Sequence, residues 1–204
     1  PFNYILPAGV IRTQSFGTVA NLAQDERSMV LKFENLIRTC EVSISKLARV
    51  NLSLYKRLQM FVHAESNINS NTPIKDKELA IFVRIGKDFD NGPGRNGEKG
   101  ANNYYEYELP LIISKPENGF DNSKNIWPDS NYINIPLDSL LELKRLRIRN
   151  NIPNSDTVEL AINEGRGDKI RMIGNPSLGV VKAFQIGVRN IATGSEVFDG
   201  EVWI

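Results

Sequence analysis

Apolar and polar residues alternate along most of the chain, and a period of two predicts strands. In SMVLKFENL, Met29, Leu31 and Phe33 share one side. Cys40, Val42 and Ile44 do the same in CEVSIS, and Leu58, Met60, Val62 and Ala64 in KRLQMFVHAE. Leu79, Ile81, Val83 and Ile85 follow in ELAIFVRIG, and Tyr105, Tyr107, Leu109 and Leu111 in NYYEYELPL. Further strands are expected in TVELAIN, KIRMIG, VVKAFQIGVRN and GEVWI. Successive side chains of a strand point to opposite faces, so each apolar set can face a common core. Glu106 and Glu108 then fall on the other face, toward water or a neighbour such as Arg84. Pro110 cannot donate to a ladder, so its strand should run near an edge or end its pairing there.

One segment breaks the alternation. PLDSLLELKRLRIRNN (136–151) places Leu137, Leu140, Leu141 and Leu143 near one face, at helical spacing. Ser139 and Glu142 have the spacing of a capping box. Lys144, Arg145, Arg147 and Arg149 crowd the far end, where the helix dipole favours cations. The expectation is one short amphipathic helix around 138–150, with its cationic run as a solvated end. Many short strands, one helix and turn residues at the breaks predict a mostly β, jelly-roll-like β-sandwich. Loops are expected at 66–77, 87–102 and 114–131. Residues 1–25 are less periodic and read as an extended lead-in, with a turn at Pro7-Ala8-Gly9. Residues 26–204 read as a single β-sandwich domain.

Charge removes some function classes. The 204 residues carry 25 Lys and Arg against 24 Asp and Glu, a net +1. No field steers the domain toward nucleic acid or an acidic membrane face. A single cysteine, Cys40, excludes an intrachain disulfide and a site built on several thiolates. Its alternation with Val42 and Ile44 predicts a buried small hydrophobe. No run of 18 apolar residues is present, so no spanning helix is expected. The chain opens on Pro1 and closes within the strand-like GEVWI, which reads as a piece of something longer.

Candidate chemistry is sparse. The one histidine, His63, has no nucleophile elbow to serve and reads as a surface or sheet-packed residue. Glu106 and Glu108 lie about 6.6 Å apart along a strand, but every E-x-E on a strand does; the pair alone does not point to glycoside hydrolysis. GKDFDNGPGRNGEKG (86–100) places Gly92, Pro93 and Lys99 where a calcium loop needs oxygen ligands and a turn glycine, so it reads as a hairpin tip. It is not a phosphate loop either. No catalytic residue, metal or cofactor is expected. The candidates for ligand or partner contact are aromatic: Trp127, Tyr104, Tyr105 and Tyr107. Trp127, before Pro128 in a loop, reads as the most exposed of them, and Tyr105 and Tyr107 as core rings with hydroxyls at the rim.

Five ordered blocks carry a resemblance. They are LYKRLQMFVHAE, ELAIFVRIGKDF, NNYYEYELPL, IWPDSNYINIPLDSLLELKRLRIRN and the closing VKAFQIGVRN with GEVWI. Together they resemble a segment of the SprA/Sov family of Bacteroidetes, the outer-membrane translocon of the type IX secretion system, needed for motility in gliding species. Residues 1–50 match it only loosely. The run 90–101 is longer than the family's and implies a longer hairpin tip. The resemblance implies a fragment of a very large β-barrel protein. This segment lacks the lipid-facing strands and aromatic girdles of a barrel wall. It is therefore expected to be a non-enzymatic extramembrane structural and interaction module at the outer membrane, on the extracellular rather than the periplasmic side. Its implied partners are other parts of the same barrel, accessory translocon subunits and secreted cargo. YKRLQMFVHAE also resembles strands of galactose-binding-like jelly rolls, so the alternative is a carbohydrate-binding module at the cell surface.

Overall fold

The computed structural model describes residues 6–7, 9–10, 28–67, 70, 72–89, 102–114, 123–163 and 165–204. Most of the expected lead-in and the whole hairpin tip at 90–101 fall outside these residues. Within the lead-in, the Val10 N–H donates to the Pro7 carbonyl at 3.2 Å, and Gly9 takes φ +87°. That is a left-handed position a glycine fills without strain, as the expected turn requires.

The fold is mostly β. Its strands are β1 (Val30–Leu36), β2 (Glu41–Val50), β3 (Arg57–Met60), β4 (His63–Ser66), β5 (Leu79–Asp88), β6 (Asn103–Pro110), β7 (Ile133–Pro136), β8 (Val158–Asn163), β9 (Asp168–Ile173), β10 (Val181–Asn190) and β11 (Phe198–Trp203). A six-stranded sheet has the order β2-β10-β5-β6-β9-β8, and a three-stranded sheet the order β1-β11-β4. A ribbon pairs β3 with β7. All pairs are antiparallel. Two α-helices and a short 3-10 helix (Asp129–Asn131) complete the described elements: α1 (Ser123–Ile126), inside the expected loop 114–131, and α2 (Leu137–Arg149).

The core lies on one face of the large sheet. Leu79, Ile81, Val83 and Ile85 of β5 and Tyr105, Tyr107 and Leu109 of β6 point into it, as the alternation predicts. Phe33, Ala64, Phe198 and Val202 from the small sheet and Ile133 and Ile135 from β7 meet them from the other side. Leu137, Leu140 and Leu143 of α2 complete the layer. Burying each such side chain contributes about 1.5–3 kcal/mol. β6 is an interior strand, and Pro110 stands where its pairing with β5 ends, opposite Ala80.

Four expectations are corrected. The run Leu58–Ala64 is not one strand. It breaks at Phe61–Val62, and β3 joins the ribbon while β4 joins the small sheet. Cys40 is exposed, not buried. Ile44 is also exposed, because β2 is the outermost described strand of its sheet. The capping box does not form. α2 starts where the β7 ladder ends, Pro136 is its N-cap with no side-chain cap, and the first helical N–H, of Leu137, donates to the Lys56 carbonyl at 3.0 Å. Lastly, the cationic run is not wholly solvated. Arg147 is buried, and its guanidinium donates to the carbonyls of Asp156 (2.5 Å) and Gly174, pinning α2 to the turn before β8 and the end of β9. Main-chain carbonyls left without partners in a protein interior are costly, so a forked donor is well suited there.

Candidate functional site

The face of the large sheet opposite the core is built of charges. Cross-strand pairing sets Ser45, Gln185, Arg84, Glu106, Arg171 and Glu159 in one row across all six strands. The next row runs Ser43, Gly187, Phe82, Glu108, Lys169 and Ala161. Glu41 and Arg189 face each other in a third.

Four carboxylates thereby meet four cations. Arg84 Nε donates to Glu106 at 2.7 Å, and its two terminal nitrogens grip both oxygens of Glu41 at 2.6 and 2.9 Å. Arg171 donates to Glu159 (2.5 Å), Glu108 (3.0 Å) and Glu106. Arg189 bridges Glu41 (2.7 Å), Glu106 (3.2 Å) and Glu108. Lys169 closes on Glu108 at 3.0 Å. Glu106 and Glu108 are each only 2% exposed, so these are not the weak ion pairs of an open surface. Forked guanidinium–carboxylate bonds fix direction as well as distance.

The electrostatics follow. Burial pushes the Glu106 carboxyl up, but Arg189, Arg84 and Arg171 outweigh it and hold the group below its ordinary value. Burial likewise opposes Glu41, and the hydrogen bonds and charges of Arg84 and Arg189 carry it down. Both carboxylates are held as anions whose lone pairs point at cations.

A ring sits inside this lattice. Phe82 is fully buried, with the Arg84 guanidinium 4.4 Å and the Arg189 guanidinium 5.0 Å from its centroid. Arg84 also lies 5.0 Å from the centre of the Tyr104 ring. All three are cation–π distances. The ring has room because its β10 neighbour is Gly187. A Cβ there would stand 2.6 Å from Phe82 Cζ and 2.5 Å from the Val42 carbonyl oxygen.

A second constellation lies on the small sheet. His63 is fully buried. Its Nδ1 donates to the Ile126 carbonyl at 2.8 Å, which can only accept, and its Nε2 stands 3.3 Å from Glu65. The ring packs 4.2 Å from Trp203 and edge-on to Trp127 at 6.1 Å. Trp203 Nε1 donates to Glu201 at 2.7 Å, and Lys32 reaches the same carboxyl at 3.2 Å. Burial opposes this, yet the bonds from Trp203 and Lys32, with the Lys32 charge, hold Glu201 below its ordinary value. The sheet-packed option for His63 is the one realised.

The four aromatic candidates are not brought together. Trp127, expected to be exposed, is 4% exposed. It is drawn inward because α1 folds residues 123–126 back and sets the ring edge-on against the His63–Trp203 pair, 6.1 and 6.4 Å from the two. Tyr104 lies on the charged face, while Tyr105 and Tyr107 lie in the core. The Tyr105 hydroxyl donates to the Pro176 carbonyl at 3.2 Å, and burial pushes it up to about 12. The Tyr107 hydroxyl donates to Asp168 at 2.7 Å; burial and that bond raise it well above the tyrosine range. Tyr107→Phe should cost about 1.5–3 kcal/mol in urea unfolding, because a buried charge-assisted bond is lost and Asp168 loses a donor. Of the four, Tyr105 reaches the wall of a cleft of about 320 Å³. No group of three or more residues that could hold a metal ion occurs among the described residues.

Sequence reading missed Glu41, Glu159, Lys169, Arg171 and Arg189. A signal was present: each falls on the polar side of a period-two strand, opposite the apolar set. Only the strand order turns those separate positions into one lattice.

The sequence model of the family SprA_N, described as a motility related/secretion protein, matches residues 1–204. No curated protein matches the chain.

Proposed function

Because the chain belongs to this family of motility-related and secretion proteins, we propose that it is a non-enzymatic structural and interaction module of a type IX protein-translocation channel in the outer membrane. It lies outside the bilayer, on the extracellular side, against other parts of the same barrel, accessory subunits and passing cargo. The observation that carries this reading is the family match along the full 204 residues. The geometry supports it. The glutamates nearest in kind to a hydrolase pair, Glu106 and Glu108, are bound by guanidiniums and the Lys169 ammonium. A lattice of this kind fixes strand register, the best-attested use of buried ion pairs. The carbohydrate-binding alternative has less support, since it needs open ring faces and Trp127, Tyr104, Tyr105 and Tyr107 are all buried.

The test is an in-frame deletion of residues 28–204 from the full-length protein. The expected result is loss of cargo secretion and of gliding while the barrel still reaches the outer membrane. Normal secretion and motility with the segment gone would overturn the reading.

A further inference from the structure

The two edges of the large sheet are treated differently. β8 is six residues long, leaves no large hydrophobic side chain exposed and packs against α2. That is how natural sheets blunt an edge. β2 is ten residues long, and its outer side pairs with no described strand. Ile44, Leu47 and Val50 stand out from it, Leu47 at 87% exposure.

β2 is also interrupted. Leu47 pairs with Ala183 and Val50 with Val181, so two residues of β2 stand between those pairs against one of β10. Such a bulge leaves main-chain groups without a partner in the ladder. An open cleft of about 780 Å³ lies at this point, walled by Leu47–Asn51 and 179–182. The 320 Å³ cleft beside it shares Gly179 and adds Tyr55 and Leu141, both exposed.

The charges select the occupant. Arg49, Lys182 and Lys144 are the cations lining the two clefts, against the single acid Asp138. Lys46 adds another cation to the strand, while its acid, Glu41, is already taken by Arg84 and Arg189. Arg147 and Lys87 also face Lys144; burial first, and then these two cations, hold it below the ordinary lysine value. Two-fold pairing of β2 with a second copy would set Lys46 and Arg49 near the same cations of the other chain, which is unfavourable.

We infer that the outer edge of β2 and its adjoining cleft form a docking edge that takes an extended acidic segment of a partner protein as a further strand, its apolar side chains seated against Leu47, Val50 and Val180. Main-chain bonds supply affinity in this mode and side-chain pockets supply selection. The inference rests on the edge and its charges, so it stands whether or not the domain serves a translocon.

The probe is an eight-residue peptide, Thr-Glu-Val-Glu-Ile-Glu-Val-Thr, titrated into the 204-residue protein by calorimetry and amide NMR. Binding is expected, with shifts confined to residues 41–51 and 177–183. Replacing its glutamates with lysines should weaken it at least tenfold. So should N-methylating alternate peptide bonds, which keeps the side chains but removes main-chain donors. Arg49→Glu with Lys182→Glu, two exposed positions, should do the same without changing the melting temperature. Absence of binding would overturn the inference. So would binding indifferent to N-methylation, or a protein dimer in solution that Leu47→Lys abolishes.

Discussion

Glu106→Gln is expected to lower folding stability by about 3 kcal/mol, the lower end of the cost of removing one partner from a buried ion pair. Glu106 bonds to Arg84, Arg171 and Arg189 at once. The glutamine keeps the shape but not the charge, leaving four cations facing Glu41, Glu108 and Glu159. Those three carboxylates still pair with the same guanidiniums, which is why the lower end applies. Urea unfolding at neutral pH measures the loss, and a change under about 1 kcal/mol would place the lattice among ordinary surface pairs. The pH dependence gives an independent reading. The folded carboxyls of Glu106 and Glu41 lie below their unperturbed value of 4.5. A carboxyl depressed in the folded state contributes fully above its unfolded value, and that contribution is lost as pH falls through the folded one. Wild-type stability should therefore decline on acidification below 4.5. The decline should be shallower in Glu106→Gln, which has one such carboxyl fewer.

Gly187→Val should cost at least about 3 kcal/mol, at or beyond the usual range for overpacking. The first added carbon already meets Ser43 Cβ and the Val42 carbonyl oxygen at 2.5 Å and Phe82 Cζ at 2.6 Å. Two of these belong to the neighbouring strand β2, and the carbonyl is main chain, so relief means moving the strand. The third is the ring beneath two guanidiniums, so displacing it disturbs Arg84 and Arg189 as well. Thermal unfolding and amide NMR of β2 and β5 would show the effect. A variant that melts with the wild type would mean the gap beside Phe82 is wider than its contacts indicate. Gly187→Ala should fall between the two.

Much of this fold can be read from alternation alone. β5, β6 and α2 were legible because their apolar positions repeat at one period through the whole element, and the core takes them on the expected side, except that Leu141 of α2 is turned out to solvent. Alternation says which residues share a face, not whether that face meets anything. Cys40 and Ile44 share their side of β2 with Val42, but the strand is the outermost described one of its sheet and both stand exposed. Leu58, Met60, Val62 and Ala64 keep one period across the break at Phe61–Val62, so nothing in the pattern marks the passage from one sheet to another. The charged lattice was legible one strand at a time. Its burial comes from neighbours far apart in sequence, as with Glu41 and Arg189, and a local pattern carries no information on those.

The strand order also sets a timetable. The last two of the eleven described strands, β10 and β11, are interior: β10 lies between β2 and β5, and β11 between β1 and β4. A chain that emerges from its N-terminus forward makes β1, β2, β4 and β5 long before the strands that join them exist. The β5–β6 hairpin can zip early, but neither large assembly closes until residues 181–203 are out. Contacts this remote in sequence slow folding and leave unpaired edges open meanwhile. During that interval the strand most in need of a chaperone is β1, whose Leu31, Phe33 and Leu36 wait for β11 across about 160 residues of chain.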